Sequence, residues 1–354
     1  VSIIIFSRLI SNTAIDNAGN KIKAQGNKAL PENFEIIKQW RKLHAMPLNA
    51  LQVYIRRKLN KTDYSKVIIV QRLKRMPSII SKIQRIPSMR MSRMQDVGGI
   101  RIIAKNINDV YQINKLLTSS KRSSFDLIVP PHDYIEKPKE DGYRSLHQVV
   151  KYNGSKSNEL YKGFRLEIQI RTLLQHYWAT AVETLGMVDR VSYKSGHGEH
   201  EVKEFFRYAS ALFAIKENCN VLESLKDYDK KFLVEHINEL DEKLKITHKL
   251  DIIAKSSRDI EESIKISKDA YYFVLDLTVI NDNNSVIKIS PFNKKSLDEA
   301  ETLYTAKEYT SRDDENKSLL LLSAQNVTDM KKAYPNYFLE TQNFISTLKE
   351  AKQY

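Results

Sequence analysis

Eight consecutive residues, Phe164-Arg-Leu-Glu-Ile-Gln-Ile-Arg171, alternate apolar and polar without a break. Strand side chains alternate between faces, so Phe164, Leu166, Ile168 and Ile170 point one way. Arg165, Glu167, Gln169 and Arg171 point the other. A half-buried strand with one wet face accounts for the alternation by itself. The strand then runs into a helix signal over 172–187, which sets His176 and Glu183 seven apart on one face. A mixed-face strand feeding a helix predicts α/β structure for residues 96–190. Gly99 to Lys105 and Ser145 to Tyr152 read as further strands, and Asn108 to Leu117 as a helix.

On either side the pattern changes. Residues 13–95 read as mostly helical, with apolar spacings of three and four in Glu35–Leu43 and Leu48–Leu59. Residues 200–268 read as helical with mixed charge. Residues 270–354 read as a small α+β unit: a strand at Tyr271–Ile280, a turn at 281–284, a return arm at Val286–Ile289, a helix at Ser296–Tyr309, a strand at Ser318–Ser323 and two short helices. The expected domains are therefore 13–195, a helical connector 196–268, and 269–354.

Charge follows the same division. The chain of 354 residues carries a formal net charge of +14. Residues 1–200 hold 34 Lys and Arg against 16 Asp and Glu, a net of +18, whereas residues 201–354 are at −4. Between 51 and 100 there are 12 cations and two acids, Asp63 and Asp96. Such density suits a solvated helical face or a surface that binds phosphate. One cysteine, Cys219, excludes a disulfide framework and a multi-thiolate zinc site. No apolar run reaches the roughly 18 residues that span a bilayer. The opening VSIIIFSRLI lacks a basic leader and a small-residue cleavage site, so a frayed strand is expected there rather than a signal peptide, and the chain reads as cytoplasmic.

Three further segments could carry chemistry beside Glu167. Gln71-Arg-Leu-Lys-Arg-Met-Pro-Ser-Ile-Ile-Ser-Lys82 packs cations at a density suited to a polyphosphate, yet has no glycine and is no Walker A loop. Met94-Gln-Asp-Val-Gly-Gly-Ile-Arg101 puts an Asp ahead of a Gly pair, where backbone can approach a ligand closely. With a Glu on a neighbouring strand it makes a two-carboxylate site of the kind Mg²⁺ takes. Asp133 to His147 is a loop shaped by Pro138 and Gly142, carrying Lys137, Lys139, Arg144 and the ring of Tyr143. A ring beside cations suits stacking on a base with charge on its phosphates.

In this order and spacing, the four segments resemble the synthetase domain of the RelA/SpoT homologue family over about residues 66–186. The resemblance rests on Arg72/Lys74/Ser78/Lys82, Asp96-Val-Gly-Gly-Ile-Arg101, Tyr134-Ile-Glu-Lys-Pro-Lys139 with Gly142-Tyr-Arg-Ser-Leu-His147, and Glu167-Ile-Gln-Ile-Arg-Thr172 with Trp178. It implies a nucleotidyltransferase-like mixed sheet flanked by helices, and transfer of the β,γ-pyrophosphate of ATP to a 3′-hydroxyl. By resemblance, Asp96 and Glu167 hold Mg²⁺. Arg72, Lys74, Ser78, Lys82 and Arg101 contact ATP. Lys139 and His147 contact phosphate oxygens, Tyr143 stacks on the acceptor base, and Gln169 and Arg171 line the site.

The chain departs from the alarmone-making pattern at Glu183-Thr-Leu-Gly186, where those members carry a Glu-His pair followed by Tyr-Lys. Ala179 to Gly186 is similar instead to toxic small alarmone synthetases, whose acceptor is the 3′-CCA end of tRNA. The C-terminal unit resembles the pseudo-zinc-finger antitoxin of fused, CapRel-like members. There a Tyr-x-x-Tyr segment, here Tyr334 and Tyr337, folds over the adenine site, and a phage protein is the trigger. The reading that follows is an autoinhibited, tRNA-directed pyrophosphokinase that blocks translation in anti-phage defence. The alternatives are an alarmone synthetase acting on GDP or GTP, and a non-catalytic nucleic-acid-binding sensor.

Overall fold

The structure is a computed structural model. It describes residues 10–74, 76–119, 124–128, 130–154, 156–188, 200–247, 250–251, 270–281, 284–311, 314, 317–323 and 341–353. The elements in chain order are α1 (Asn12–Gln25), α2 (Pro31–Leu43), α3 (Ala45–Leu59), β1 (Ile68–Leu73), α4 (Met76–Arg85), β2 (Gly98–Ala104), α5 (Ile107–Thr118), β3 (Phe125–Leu127), β4 (His132–Asp133), β5 (Leu146–Tyr152), β6 (Arg165–Thr172) and α6 (Leu173–Val188). There follow α7 (His200–Lys216), α8 (Lys230–Leu244), β7 (Ala270–Asn281), β8 (Asn284–Asn293), α9 (Leu297–Thr310), β9 (Lys317–Ser323) and α10 (Thr341–Gln353). The fold is mixed α and β, with a mixed sheet flanked by helices. Among the described residues no helix is long and apolar enough to cross a membrane.

The chain divides into two units. The first comprises residues 1–101, 113–131 and 147–169, and the second 102–112, 132–146 and 170–354. In the first, the strands lie in the order β3-β5-β6-β2-β1. β3 and β5 run antiparallel, with Phe125 opposite Tyr152. Ile15, Ala18 and Ile22 recur on one side of α1 and bury against Trp40 of α2, Ile79 and Ile83 of α4, and Met91, Met94 and Val97. Ser11 caps α1 by accepting from the Ala14 amide. Asp16 of α1 accepts from the amide and hydroxyl of Ser92 at 2.8 and 3.0 Å. Lys23 donates to the carbonyl of Pro87 at 2.7 Å. Helix α1 thus fixes the segment that leads into Asp96.

Strand β1 interrupts a stretch whose sequence reads as mostly helical. Its signal is the β-branched run Val67-Ile-Ile-Val70, which fits a buried strand better than a helix. The two members of the Gly98–Gly99 pair differ in their surroundings. A Cβ on Gly98 would fall 2.7 Å from Leu166 Cδ2, so its bareness admits a neighbouring strand's side chain, whereas one on Gly99 would meet the Glu167 carbonyl at 3.5 Å, an ordinary contact.

In the second unit, Trp178, Val182 and Leu185 of α6 share one core with Phe205, Phe206 and Phe213 of α7, Ile237 of α8, and Phe344, Ile345 and Leu348 of α10. A smaller core joins Tyr272 and Val274 of β7, Ala300 and Tyr304 of α9, and Leu319 of β9. β7 pairs antiparallel with β8 on one side and β9 on the other. The terminal helix α10 is tied further by Lys216 to Glu350 at 3.0 Å and by Thr341 to the Leu250 carbonyl at 2.9 Å. A cut at residue 269 would therefore part α10 from the core it completes.

His44, at the α2–α3 junction, is 1% exposed. Its Nδ1–H donates to the Trp40 carbonyl at 3.0 Å, and its ring meets Phe164 edge-on. Burial pulls its pKa from 6.5 down to about 4, the carbonyl opposing. The unfolded chain binds this proton more readily, so the stability is full above about pH 6.5 and falls as pH drops towards 4. Urea unfolding followed by tryptophan fluorescence should show a loss of up to about 3 kcal/mol across that window. His44→Gln should be weaker at pH 7 but lose less on acidification. An equal pH dependence in both proteins would contradict the assignment.

Candidate functional site

The first unit builds a charged cluster from backbone outward. Lys74 follows the last residue of β1. Its amide donates to the Val97 carbonyl at 2.8 Å, and its own carbonyl accepts from Arg41 Nε of α2 at 2.7 Å. Pinned at both ends, Lys74 reaches Asp96 Oδ2 at 3.1 Å. Lys82, two turns into α4, reaches the same oxygen at 2.8 Å. Burial works to raise the Asp96 pKa, but Lys74 and Lys82 outweigh it and hold the carboxyl at about 2. Lys74 shifts the same way for another reason: burial lowers it by more than Asp96 lifts it, and Arg72 and Lys82 add repulsion. Asp96 Oδ1 is buried and has no hydrogen-bond partner. Ser78 is half-buried on α4, while Arg72 and Arg101 lie half-buried and buried on β1 and β2.

On β6, Leu166, Ile168 and Ile170 are buried while Arg165, Glu167 and Gln169 stay partly open, as strand alternation requires. Glu167 Oε1 pairs with His147 Nδ1 of β5 at 3.1 Å. Gln169 Nε2 donates to Glu167 Oε2 at 2.7 Å. Burial pushes the Glu167 pKa up, and His147 overrides it. The charge on Asp96 pushes it up again, Gln169 opposes that, and the carboxyl ends below its ordinary range. Asp96 and Glu167 are thus two ionised carboxylates within each other's field.

Those two acids suit the Mg²⁺ that the resemblance implies. Mg²⁺ takes one or two protein carboxylates and completes an octahedron with water and phosphate oxygens. The unpartnered Asp96 Oδ1 is an oxygen donor of that kind. Among the described residues no group of three or more His, Cys, Asp or Glu could hold a metal through protein atoms alone.

The second unit carries the loop 133–146. Asp133 accepts from the amides of Ile135 and Glu136 at 2.9 and 3.0 Å and from the Tyr111 hydroxyl at 3.0 Å. Lys139 lies over the Tyr134 ring at 4.3 Å and the Tyr143 ring at 5.0 Å. The two rings meet edge-on, with centroids 6.2 Å apart. A cation on two aromatic faces is an arrangement that stacks a base and holds its phosphates. Tyr134, the second ring of this pair, was missed as a site residue; its signal was its place five residues ahead of Lys139.

Arg171 departs from the wet-face pattern. It is 1% exposed and hydrogen-bonded to Nδ1 of His176, five residues on in α6. The structure brings together Lys74, Lys82 and Asp96, then His147, Glu167 and Gln169, and separately Lys139 and Tyr143. Tyr334 and Tyr337 lie outside the described residues.

Comparison with known proteins gives the same region. Residues 71–198 match the family model described as the region found in RelA / SpoT proteins. The GTP pyrophosphokinase YjbM of Bacillus subtilis is 37% identical over 127 residues, 35% of this chain and 58% of that protein. The GTP pyrophosphokinase YwaC of the same organism is 36% identical over 115 residues, 31% of this chain and 52% of that protein. The chain thus spans little more than half the length of these curated relatives. Among solved structures, the Bacillus subtilis small alarmone synthetase 1 bound to its product pppGpp matches at 30% identity and a TM-score of 0.43, over 51% of this chain and 94% of that one. Over residues 71–198, then, this chain is similar to the region found in RelA / SpoT proteins.

Proposed function

We propose that this chain is an ATP-dependent pyrophosphokinase whose acceptor is the 3′-hydroxyl of a guanosine nucleotide. The observation that carries the reading is the half-buried pair Asp96 and Glu167, both kept ionised, with Lys74 and Lys82 converging on one oxygen of Asp96. Pyrophosphoryl transfer to a hydroxyl needs little covalent help from protein; it needs position and fixed countercharge. The curated relatives over this region, named GTP pyrophosphokinases, support guanosine as the acceptor.

The 3′-oxygen bonds to the β-phosphorus of ATP, the bond from that phosphorus to the AMP oxygen breaks, and the hydroxyl proton leaves. Lys74 and Lys82 exchange one carboxylate oxygen for triphosphate oxygens and offset their charge. Arg72, Ser78 and Arg101 hold the rest of ATP. Tyr143, with Tyr134 and Lys139, holds the acceptor base and its phosphates. Glu167, oriented by His147 and Gln169, faces the proton. Mg²⁺, held by Asp96 and Glu167, supplies charge neutralisation on the transferring phosphates when bound.

A second reading has the 3′-end of tRNA as acceptor. It rests on Glu183-Thr-Leu-Gly186 in place of the Glu-His and Tyr-Lys pairs, and on the cation-rich stretch 51–100. On that reading residues 269–354 are the regulatory part, with Tyr334 and Tyr337 closing the adenine site until a trigger protein binds.

The full chain, given Mg²⁺, γ-labelled ATP and either GDP, GTP or tRNA, should label the guanosine nucleotide. Asp96→Asn and Glu167→Gln should each lower kcat by about 100-fold or more. Label confined to tRNA selects the second reading, and a folded chain that labels neither acceptor excludes the first.

Tyr143→Ala should raise the KM for the acceptor by about tenfold, the loss of one stacked base, and leave the KM for ATP near its original value. Tyr143→Phe keeps the ring and should keep the KM. An ATP KM that moves as far as the acceptor KM would place Tyr143 elsewhere.

A further inference from the structure

The loop that carries Lys139 and Tyr143 is held from a helix outside the RelA/SpoT region, which ends at residue 198. Ser210 lies in the middle of α7 and is 2% exposed. Its hydroxyl donates to the Gly142 carbonyl at 2.5 Å. Its own carbonyl accepts from Arg144 Nη1 at 2.6 Å. One residue therefore grips the loop on both sides of Tyr143.

The fit between the two leaves no slack. Gly142 has φ +91°, a conformation that favours glycine. A Cβ built there would fall 2.9 Å from Ser210 Cβ and 3.1 Å from Trp178 Cζ2. Inside the loop, the Gly142 amide donates to the Lys139 carbonyl at 2.8 Å, and the Lys139 amide to the Tyr143 carbonyl at 3.2 Å. The backbone pressed on Ser210 is thus the same turn that sets Lys139 against Tyr143.

Helix α7 is in turn fixed to α6 along the face that bears Ser210. Trp178 Nε1 donates to the Phe206 carbonyl at 2.7 Å. Gln175 Nε2 donates to Glu217 Oε2 at 3.4 Å. Positions 206 and 210 are four apart, so they share one side of the helix, and Glu217 directly follows its last residue. The Tyr143 ring lies 6.5 Å from that of Trp178, so the platform and the anchor are neighbours.

Arg144 sharpens the point. It is 3% exposed, and burial draws its pKa down to about 10 against the pull of Glu217. Its Nε and Nη2 have no hydrogen-bond partner. A buried guanidinium with two such atoms costs stability, so its bond to Ser210 is poorly explained by stability alone.

We infer that Ser210 is a positioning residue for the acceptor: through Gly142 and Arg144 it sets the loop whose Tyr143 and Lys139 hold the acceptor base and phosphates. The inference rests on the pyrophosphokinase reading, but its geometry can be tested apart from it. Ser210→Ala removes the hydroxyl and keeps the carbonyl that Arg144 uses.

In the full chain, hydrogen exchange at residues 139–143 should quicken by about tenfold in Ser210→Ala while exchange in β6 and α4 holds. In steady-state transfer, the acceptor KM should rise by about tenfold, with kcat and the ATP KM changed less than twofold. A loop that exchanges as in the parent overturns the latch. Faster exchange with kcat and both KM values worsening together overturns the positioning role, because it would mark a general loss of structure. A parent chain that transfers nothing to any acceptor defeats the functional reading and with it the acceptor role; the exchange measurement still decides whether Ser210 holds the loop.

Discussion

Asp96 is the group on which the first unit's arrangement turns. Its Oδ2 draws in two lysines from two elements, one after β1 and one on α4. Taking these charges out of water costs free energy that their attraction only partly returns. The Lys74 pKa shows this, since burial outweighs the partner carboxylate. A packed apolar group at position 96 would serve stability as well. The cost accords with the proposed function, in which a polyanion replaces Asp96 as the partner of the lysines and the carboxylate is ionised before a cation arrives. Much of the helical segment then serves a purpose: Asp16, Lys23 and Arg41 each bind backbone at 74 or at 87–92, on the two approaches to Asp96.

Glu167 is stabilised differently, and the contrast is informative. Among the described residues no lysine is paired with it; an imidazole and an amide hold its two oxygens. Both partners can reorganise more readily than an ammonium bonded to a buried acid. The amide keeps its dipole through any proton movement, and the imidazole can accept or release one. Two carboxylates thus share one field, one clamped by lysines and one by an imidazole and an amide, and both are held below their ordinary range.

How far the sequence revealed this differs from element to element. The β6 alternation was legible because period-two burial is local and needs no knowledge of neighbours. It placed Glu167 and Gln169 on the open side correctly, and failed at Arg171, which α6 buries with His176. Tertiary contact there overrides the pleat. Strand β1 was read as part of a helical stretch because the cations after it masked the short β-branched run of Val67 to Val70. The Gly98–Gly99 pair suggested ligand approach, and the sequence did not show that Gly98 is also pressed by Leu166 of the neighbouring strand. Motif spacing identified which side chains matter. It could not say that Asp96 is shared by two lysines, because convergence on one oxygen depends on where α4 and β1 leave their ends.

The terminal helix raises a separate question about control. Phe344 and Leu348 are buried with Phe206, Phe213 and Trp178, and Phe206 and Trp178 also carry the hydrogen bond that fixes α7 to α6. A regulatory segment that could be removed cleanly would end before this core. Here the last helix is part of the wall that supports Ser210, so deleting residues 270–354 would strip core side chains as well as any inhibitory surface. Loss of activity on such a deletion would report the damaged core, and a gain would have to overcome it. Whatever shifts α10 shifts the packing behind α7, and α7 holds the turn on which Lys139 and Tyr143 sit.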